Sequence, residues 1–279
     1  MIIMPGIVNW DELWKATHFR GFHHHDPDLI SYWDRKAELF NRRVMRHRER
    51  AEIQVASLGL RSYETVLDVG AGTGRLAIPM SKVASSVTAL DQSGGMLACL
   101  KENMRADGIE NIRCIQKSWQ DLAVDEIEQH DVVISSNSLG VYELREALAK
   151  MDSLAKSRAY IFIFTDHKRD DGFSDFLRRD VAVKNAPGPA DYLVIYNLLA
   201  EMGIYADIEM VDWLYKERYS SLDEAASEWM QMHDIAADKE PDLREFLSLR
   251  LVDDESGVCM VRHYKSATIS WRKGKLVRD

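Results

Sequence analysis

Asp68, Gly70, Gly72, Gly74 and Asp91 are the residues of this chain whose types and spacing suit chemistry. In Val66-Leu67-Asp68-Val69-Gly70-Ala71-Gly72-Thr73-Gly74-Arg75 an apolar strand stops at a turn stripped of large side chains. The glycines let the main chain approach a ligand and take φ > 0 at little steric cost. A helix follows, so its free N–H groups and the positive end of its dipole face that ligand. The next apolar run, Ser86-Val87-Thr88-Ala89-Leu90, ends in Asp91, placed to accept hydrogen bonds from two ribose hydroxyls. An acid about 20 residues past such a turn is the usual holder of a ribose.

The glycine spacing separates two classes of ribose-bearing ligand. A dinucleotide turn reads G-x-G-x-x-G, its third glycine permitting close helix–strand packing beneath a pyrophosphate. Counted from Gly70 and Gly72, that glycine would fall at position 75, which is Arg75. The order here is G-x-G-x-G, and Asp68 ahead of it would repel a pyrophosphate. An acid in that place suits a ligand carrying an ammonium and a sulfonium. The segment resembles motif I of the class I S-adenosylmethionine-dependent methyltransferases, with Asp91 matching their ribose-binding acid. The resemblance implies S-adenosylmethionine as cofactor and S-adenosylhomocysteine as product. It places Asp68, Gly70, Ala71, Gly72, Thr73, Gly74, Asp91, Gln92 and Met96 around the cofactor.

These residues need a frame. From about 61 to 165 strands and helices alternate, which argues for right-handed βαβ units and a parallel sheet. The strands read as Thr65–Val69, Val87–Leu90, Ile112–Ile115, Asp131–Ser135 and Tyr160–Phe164. Ser93 is the expected N-cap of the second crossover helix, Met96, Leu97, Leu100 and Met104 its buried face, and Gly108 its stop. Pro79 inside the first crossover helix predicts a local distortion. Beyond 165 come a loop at Asn185–Pro189, a helix over Asp191–Met202 ended by Gly203, and a strand over Ile208–Tyr215. Helices at Ser221–His233 and Asp242–Arg250 precede a last strand at His263–Trp271. The family resemblance implies an α/β, Rossmann-like, seven-stranded sheet of order 3-2-1-4-5-7-6 with helices on both faces.

Residues 1–60 read as a helical cap over the site, and 61–279 as the methyltransferase domain, with lid and substrate elements in about 166–260. Asp26-Pro27 starts a helix whose Ile30, Trp33, Ala37, Phe40 and Val44 form one apolar stripe. Within it, Tyr32-Trp33-Asp34-Arg35-Lys36-Ala37 resembles the Y-W-D-x-x-A element of the ubiquinone/menaquinone-type (type 11/12-like) methyltransferases. There the helix folds over the cofactor and shuts water out, which makes Tyr32 and Trp33 cofactor-side residues; core packing is their alternative.

In open α/β sheets ligands sit beyond the carboxyl ends of the strands. After strand three, Lys117-Ser118-Trp119-Gln120-Asp121-Leu122 resembles motif III. The family usually has an acid there that accepts from the adenine amino group; here Ser118 holds that place, and Trp119 either packs on the adenine plane or in the core. After strand four, Ser135-Ser136-Asn137-Ser138-Leu139 resembles motif IV, which puts Asn137 and Ser138 where cofactor and substrate meet. Enzymes that methylate base amino groups carry Asn/Asp-Pro-Pro-aromatic at that point, and Asn137-Ser138-Leu139-Gly140 has neither proline. A general base is needed only for an acceptor that arrives protonated. His167, following strand five, is the candidate catalytic residue, with an exposed loop position as its alternative; His130, at the opposite end of the sheet, reads as structural.

Substrate-side candidates are His23, His25, Tyr142, Tyr192, Tyr196 and Asn197. His23 and His25 share a face of an extended run and so suit a metal, an acceptor pocket or a polar loop. No partner carboxylates or cysteines can be identified in the sequence, so no metal is expected.

Composition narrows the function further. The 279 residues carry a net charge of −9, which argues against a phosphate-binding face and hence against nucleic acid. A basic cluster (Arg42, Arg43, Arg46, His47, Arg48, Arg50) is expected on one helix as a solvated face. Cys99, Cys114 and Cys259 are widely spaced and read as reduced core thiols of a cytoplasmic protein. No apolar run approaches the roughly 20 residues that cross a bilayer, and the N-terminus lacks a secretory pattern. The expected partner is a small-molecule methyl acceptor; the alternatives are a protein side chain, or a non-catalytic module that only binds the cofactor.

Overall fold

The computed structural model describes residues 8–18, 27–165, 191–255 and 257–274. They form two compact units, one within 1–163, 188–209 and 267–279, the other within 164–187 and 210–266. The first opens with three helices, α1 (Trp10–His18), α2 (Pro27–Met45) and α3 (Arg48–Ser57). The basic cluster therefore does not lie on one helix. A turn at 46–47 divides it, and Arg48, at the start of α3, reaches Asp107 at 3.0 Å.

The sheet begins with β1 (Thr65–Val69), α4 (Ala77–Ser81), β2 (Ser86–Asp91), α5 (Gly94–Asp107) and β3 (Ile112–Gln116). It continues with β4 (His130–Ser136), α6 (Leu144–Leu154), β5 (Ala155–Phe164), α7 (Asp191–Glu201) and β6 (Asp207–Tyr219). Next come α8 (Leu222–His233), α9 (Glu240–Ser248), β7 (Leu251–Asp254) and β8 (Gly257–Arg272). The order is β3-β2-β1-β4-β5-β8-β6, with β7 paired to β8 alone. Set β7 aside and this is the expected 3-2-1-4-5-7-6 order; the sheet has eight strands rather than seven. Strands β1 to β5 pair in parallel. The Thr165 and Lys273 amides donate to the carbonyls of Lys265 and Ser157, which sets β8 antiparallel to β5.

Alternation puts successive strand residues on opposite faces, and both faces are apolar here. Leu67, Val69, Leu90, Val133 and Ile161 meet Trp14, Leu148, Met151 and Leu198 on one side. Val66, Val87, Ala89, Val132 and Ile134 meet Leu76, Ala77, Leu97 and Leu100 on the other. Continuous apolar strands buried on both faces are what a parallel sheet requires. Pro79 has no N–H to offer the Arg75 carbonyl, and the first crossover helix is correspondingly short: residues 72–76 are turn and α4 has five residues. At α5 the caps are as expected, Ser93 accepting from the Met96 amide and Gly108 closing the helix at φ +65°.

In the second unit α8 and α9 bury Trp229, Leu243 and Phe246 against Tyr219 and Met260. Ser221 caps α8 by accepting from the Glu224 amide. Strand β7 was not expected, since Val252-Asp253-Asp254 shows no apolar alternation; it forms by hairpin pairing, Leu251 opposite Met260 and Asp254 opposite Gly257. All three cysteines are free thiols.

Candidate cofactor site

The turn after β1 is built from main-chain hydrogen bonds. The Gly70 and Ala71 amides both donate to the Leu90 carbonyl, at 2.8 and 3.0 Å, tying the turn to the end of β2. Gly70 has φ +72°, and a Cβ on it would stand 2.2 Å from the Ser138 Cβ. Ser138 is held there by donating to the Val69 carbonyl at 2.6 Å, with the Ser135 hydroxyl 2.7 Å away. A Cβ on Gly74 would meet Leu100 at 2.3 Å. Two of the three glycines therefore answer to packing within the protein, not to ligand approach. Gly72 differs: a Cβ there would have Phe40, 3.8 Å away, as its nearest neighbour.

The two acids are held differently. Asp91 accepts from the Gly72 amide through Oδ2 at 2.8 Å and from the Ser93 amide through Oδ1 at 2.9 Å. Each oxygen keeps a lone pair for a further donor. Burial pushes its pKa above the ordinary carboxylate value, and the backbone donors oppose that rise. Asp68 is 2% exposed, and its Oδ2 has no hydrogen-bond partner among the described residues. Burial raises its pKa to about 7; Arg75 works against this rise and Asp91 adds to it. The Arg75 guanidinium, whose own pKa burial lowers to about 10, donates to Gln54 Oε1 at 2.8 Å and Ser136 Oγ at 2.7 Å. A buried carboxylate oxygen left without a donor is costly. A cationic ligand at the turn answers that deficit, so the residues fit an ammonium-bearing ribonucleoside.

Helix α2 reaches the start of α5. Asp34 Oδ1 accepts from Ser93 Oγ at 2.6 Å and from the Gly95 amide at 2.9 Å, both at the start of α5. These two donors hold its pKa below the usual carboxylate range. Two turns on, the Asn41 and Asn103 amides exchange hydrogen bonds at 3.3 and 2.8 Å, and Asn103 also donates to the Thr73 carbonyl at 3.0 Å. Tyr32, Trp33 and Phe40 form an edge-to-face series with centroid distances of 5.1 and 5.7 Å. Trp33 and Phe40 pack on Ala37, Met96 and Cys99. A fold of this strand order, with a glycine turn after β1 and an acid at the end of β2, has relatives.

A methyltransferase-domain family matches residues 66–158. An uncharacterized protein of Haemophilus influenzae is 30% identical over 208 residues, 74% of each chain. The chain belongs to the class I S-adenosylmethionine-dependent methyltransferases. S-adenosylmethionine is the methyl donor of that class. Among solved structures, YcgJ from Bacillus subtilis has the same fold, with a TM-score of 0.56 at 16% identity over 82% of this chain and 100% of its own. DhpI, solved as a complex with SAM and HEP, has a TM-score of 0.51 at 20% identity over 67% and 93%.

The other expected residues of this methyltransferase fall in distinct surroundings. Ala71 is buried, and Thr73 is buried with its hydroxyl lacking a partner among the described residues. The Gln92 carbonyl lies 3.5 Å from the Gln116 amide nitrogen. Ser118 Oγ accepts from the Gln120 amide at 3.3 Å. Trp119 is 7% exposed and belongs to the core cluster with Leu122 and Leu144, the packing alternative raised by the sequence. Asn137, exposed at φ +53°, donates its amide to the Phe162 carbonyl at 2.8 Å.

On the acceptor side, Tyr142 lies under the Lys15 ammonium at 4.9 Å, Tyr192 packs on the core, Tyr196 is exposed, and Asn197 donates to the Leu193 carbonyl. His23, His25 and His167 lie outside the described residues. His130 is 2% exposed, at the start of β4, 2.8 Å from the Thr88 hydroxyl. Nothing local in the sequence marks a role for Asp34, Asn41 or Asn103. Their partners are 30 to 62 residues away, and Asp34 alone lies in a recognisable segment, the Y-W-D element.

Asp91→Ala should weaken S-adenosylhomocysteine binding by about 1.5–3 kcal/mol, the loss expected for hydrogen bonds to a charged group. Calorimetry at matched pH checks this; unchanged affinity would detach β2 from the ribose.

Proposed function

We propose that this enzyme methylates a small-molecule acceptor in the cytoplasm, as a member of the ubiquinone/menaquinone-type subclass. The observation that carries the reading is the docking of α2: Asp34 on the first turn of α5, Asn41 on Asn103, and Phe40 beside Gly72. A roofed site suits a compact acceptor, whereas a protein chain needs an open groove. The net charge of −9 and the proline-free segment after β4 support the exclusion of nucleic acid. No helix among the described residues is long and apolar enough to cross a membrane.

Bound at the turn, S-adenosylmethionine would supply an electrophilic methyl group on a good leaving group. Asp91 would hold the ribose, Asp68 the ammonium, and Ser118 would stand at the adenine. Alignment and exclusion of water then carry most of the rate, where effective molarity contributes up to about 7–11 kcal/mol. Tyr142, Tyr192, Tyr196 and Asn197 are our acceptor-side candidates, and His167 is the base if the acceptor arrives protonated.

The test supplies methyl-labelled S-adenosylmethionine and a cell extract split by ultrafiltration. Label should appear in a low-mass compound that chromatography separates from S-adenosylmethionine itself and that is not formed without the enzyme. Label confined to protein or RNA in the retentate rejects the small acceptor. Tight cofactor binding with no transfer to either fraction leaves a binding module.

A further inference from the structure

Lys150 of α6 lies outside every motif so far described, yet its ammonium is wholly committed to one turn. Its Nζ donates to the carbonyls of Trp119 at 2.6 Å, Gln120 at 3.2 Å and Leu122 at 2.6 Å. A lysine has three N–H donors, so none remains for other partners. The same nitrogen sits 5.0 Å from the centre of the Trp119 ring, within cation–π range. Hydrogen bonds from a charged donor are among the stronger kind.

The turn it grips follows β3. The Lys117 amide donates to the Asp91 carbonyl at 3.0 Å, so the segment starts in register with the ribose acid. The Leu122 amide donates back to the Ser118 carbonyl at 3.1 Å, and Gln120 N–H holds the Ser118 hydroxyl. At the far end Glu126 accepts from the Ala123 amide at 2.7 Å and from Lys117. Three carbonyl oxygens converging on one point repel one another unless a cation sits between them. Remove it, and those peptide planes turn toward water, taking the Gln120 amide and hence the Ser118 hydroxyl with them.

We infer that Lys150 is a positioning residue for adenine recognition, acting through the 118–122 turn. The inference rests on the cofactor reading proposed above. Ser118 stands where relatives offer a carboxylate, and a neutral hydroxyl is a weaker acceptor for an amino group. Selectivity for adenine must then come from a hydroxyl fixed in place, and Lys150 does the fixing.

The experiment measures affinity for S-adenosylhomocysteine and for S-inosylhomocysteine, which carries a carbonyl in place of the adenine amino group. The wild type should prefer the adenine form, and Lys150→Met, which keeps length and apolar stem, should cut that preference by about tenfold or more. Lys150→Arg, retaining charge without three converging donors, should fall between. A folded Lys150→Met protein with the wild-type ratio overturns the inference. If Lys150→Met does not fold, Lys150→Gln takes its place. Failure of both to fold makes Lys150 a stability residue and overturns the inference as well. A wild type that ignores the purine substitution refutes adenine reading by this turn, and one that binds neither nucleoside refutes the cofactor assignment itself.

Discussion

Gly70→Ala should be the most damaging single methyl added to the glycine turn. Its backbone at φ +72° is one that a side chain occupies at a cost of roughly 1–2 kcal/mol. The new Cβ would also lie 2.2 Å from Ser138 Cβ, which is anchored to the Val69 carbonyl and cannot swing aside. Overpacking of this kind adds about 1–3 kcal/mol. The sum corresponds to a melting-point loss of roughly 4–20 °C for a chain of this size. Cofactor affinity should fall with it, because the Gly72 amide that fixes Asp91 moves with the turn. Gly74→Ala is the control: its clash is with the tip of Leu100, a flexible side chain, so it should cost less. Melting curves with and without S-adenosylhomocysteine check the ranking; equal melting points for Gly70→Ala and the wild type would refute it.

Arg158→Met should unfold the protein more readily still. Arg158 and Glu64 are 7% and 4% exposed and pair through two hydrogen bonds of 2.5 and 2.9 Å. Arg158 also reaches the Leu58 and Gly59 carbonyls, closing the end of α3 onto β5. Removing one partner strands a buried charge, at about 3–5 kcal/mol. The guanidinium, with help from the Arg61 amide, holds the Glu64 pKa below its ordinary value against burial. In the wild type that stability is present above the unfolded carboxylate pKa and lost as pH falls through the lower folded value. In the variant burial acts without the guanidinium, so the Glu64 pKa rises and the deficit should shrink on acidification. Glu64→Gln combined with Arg158→Met should restore most of the loss. A double variant no more stable than Arg158→Met alone would show that the pair was not the cause.

What the sequence disclosed follows from how local each signal is. The apolar runs ending at Val69 and Asp91 sit within a residue of their expected limits, because both faces of β1 and β2 are buried and the runs are short. Strand β5 starts at Ala155, five residues before expectation. Lys156, Ser157 and Arg158 look polar, and Arg158 is tolerated inside only because Glu64, 94 residues earlier, receives it. The glycine turn was legible as a turn, yet the neighbours of Gly70 and Gly74, Ser138 and Leu100, were not. Nothing in Arg46-His47 breaks helical spacing, so the sequence suggests one helix for the basic cluster; the chain turns there nonetheless. Lys150 lay beyond reach altogether, its three acceptors being main-chain oxygens that any sequence possesses.

One residue, Ser93, stands between α2 and the end of β2: its hydroxyl donates to Asp34 while its amide donates to Asp91. Helix α2 is thus tied through Ser93 to the carboxylate that ends β2 and is not a detachable accessory. A chimaera that exchanges only this helix for one without the Asp34 carboxylate should leave the Ser93 hydroxyl and the Gly95 amide without their acceptor, and so loosen the start of α5. Exchanges of α2 should therefore carry positions 34 and 93 together.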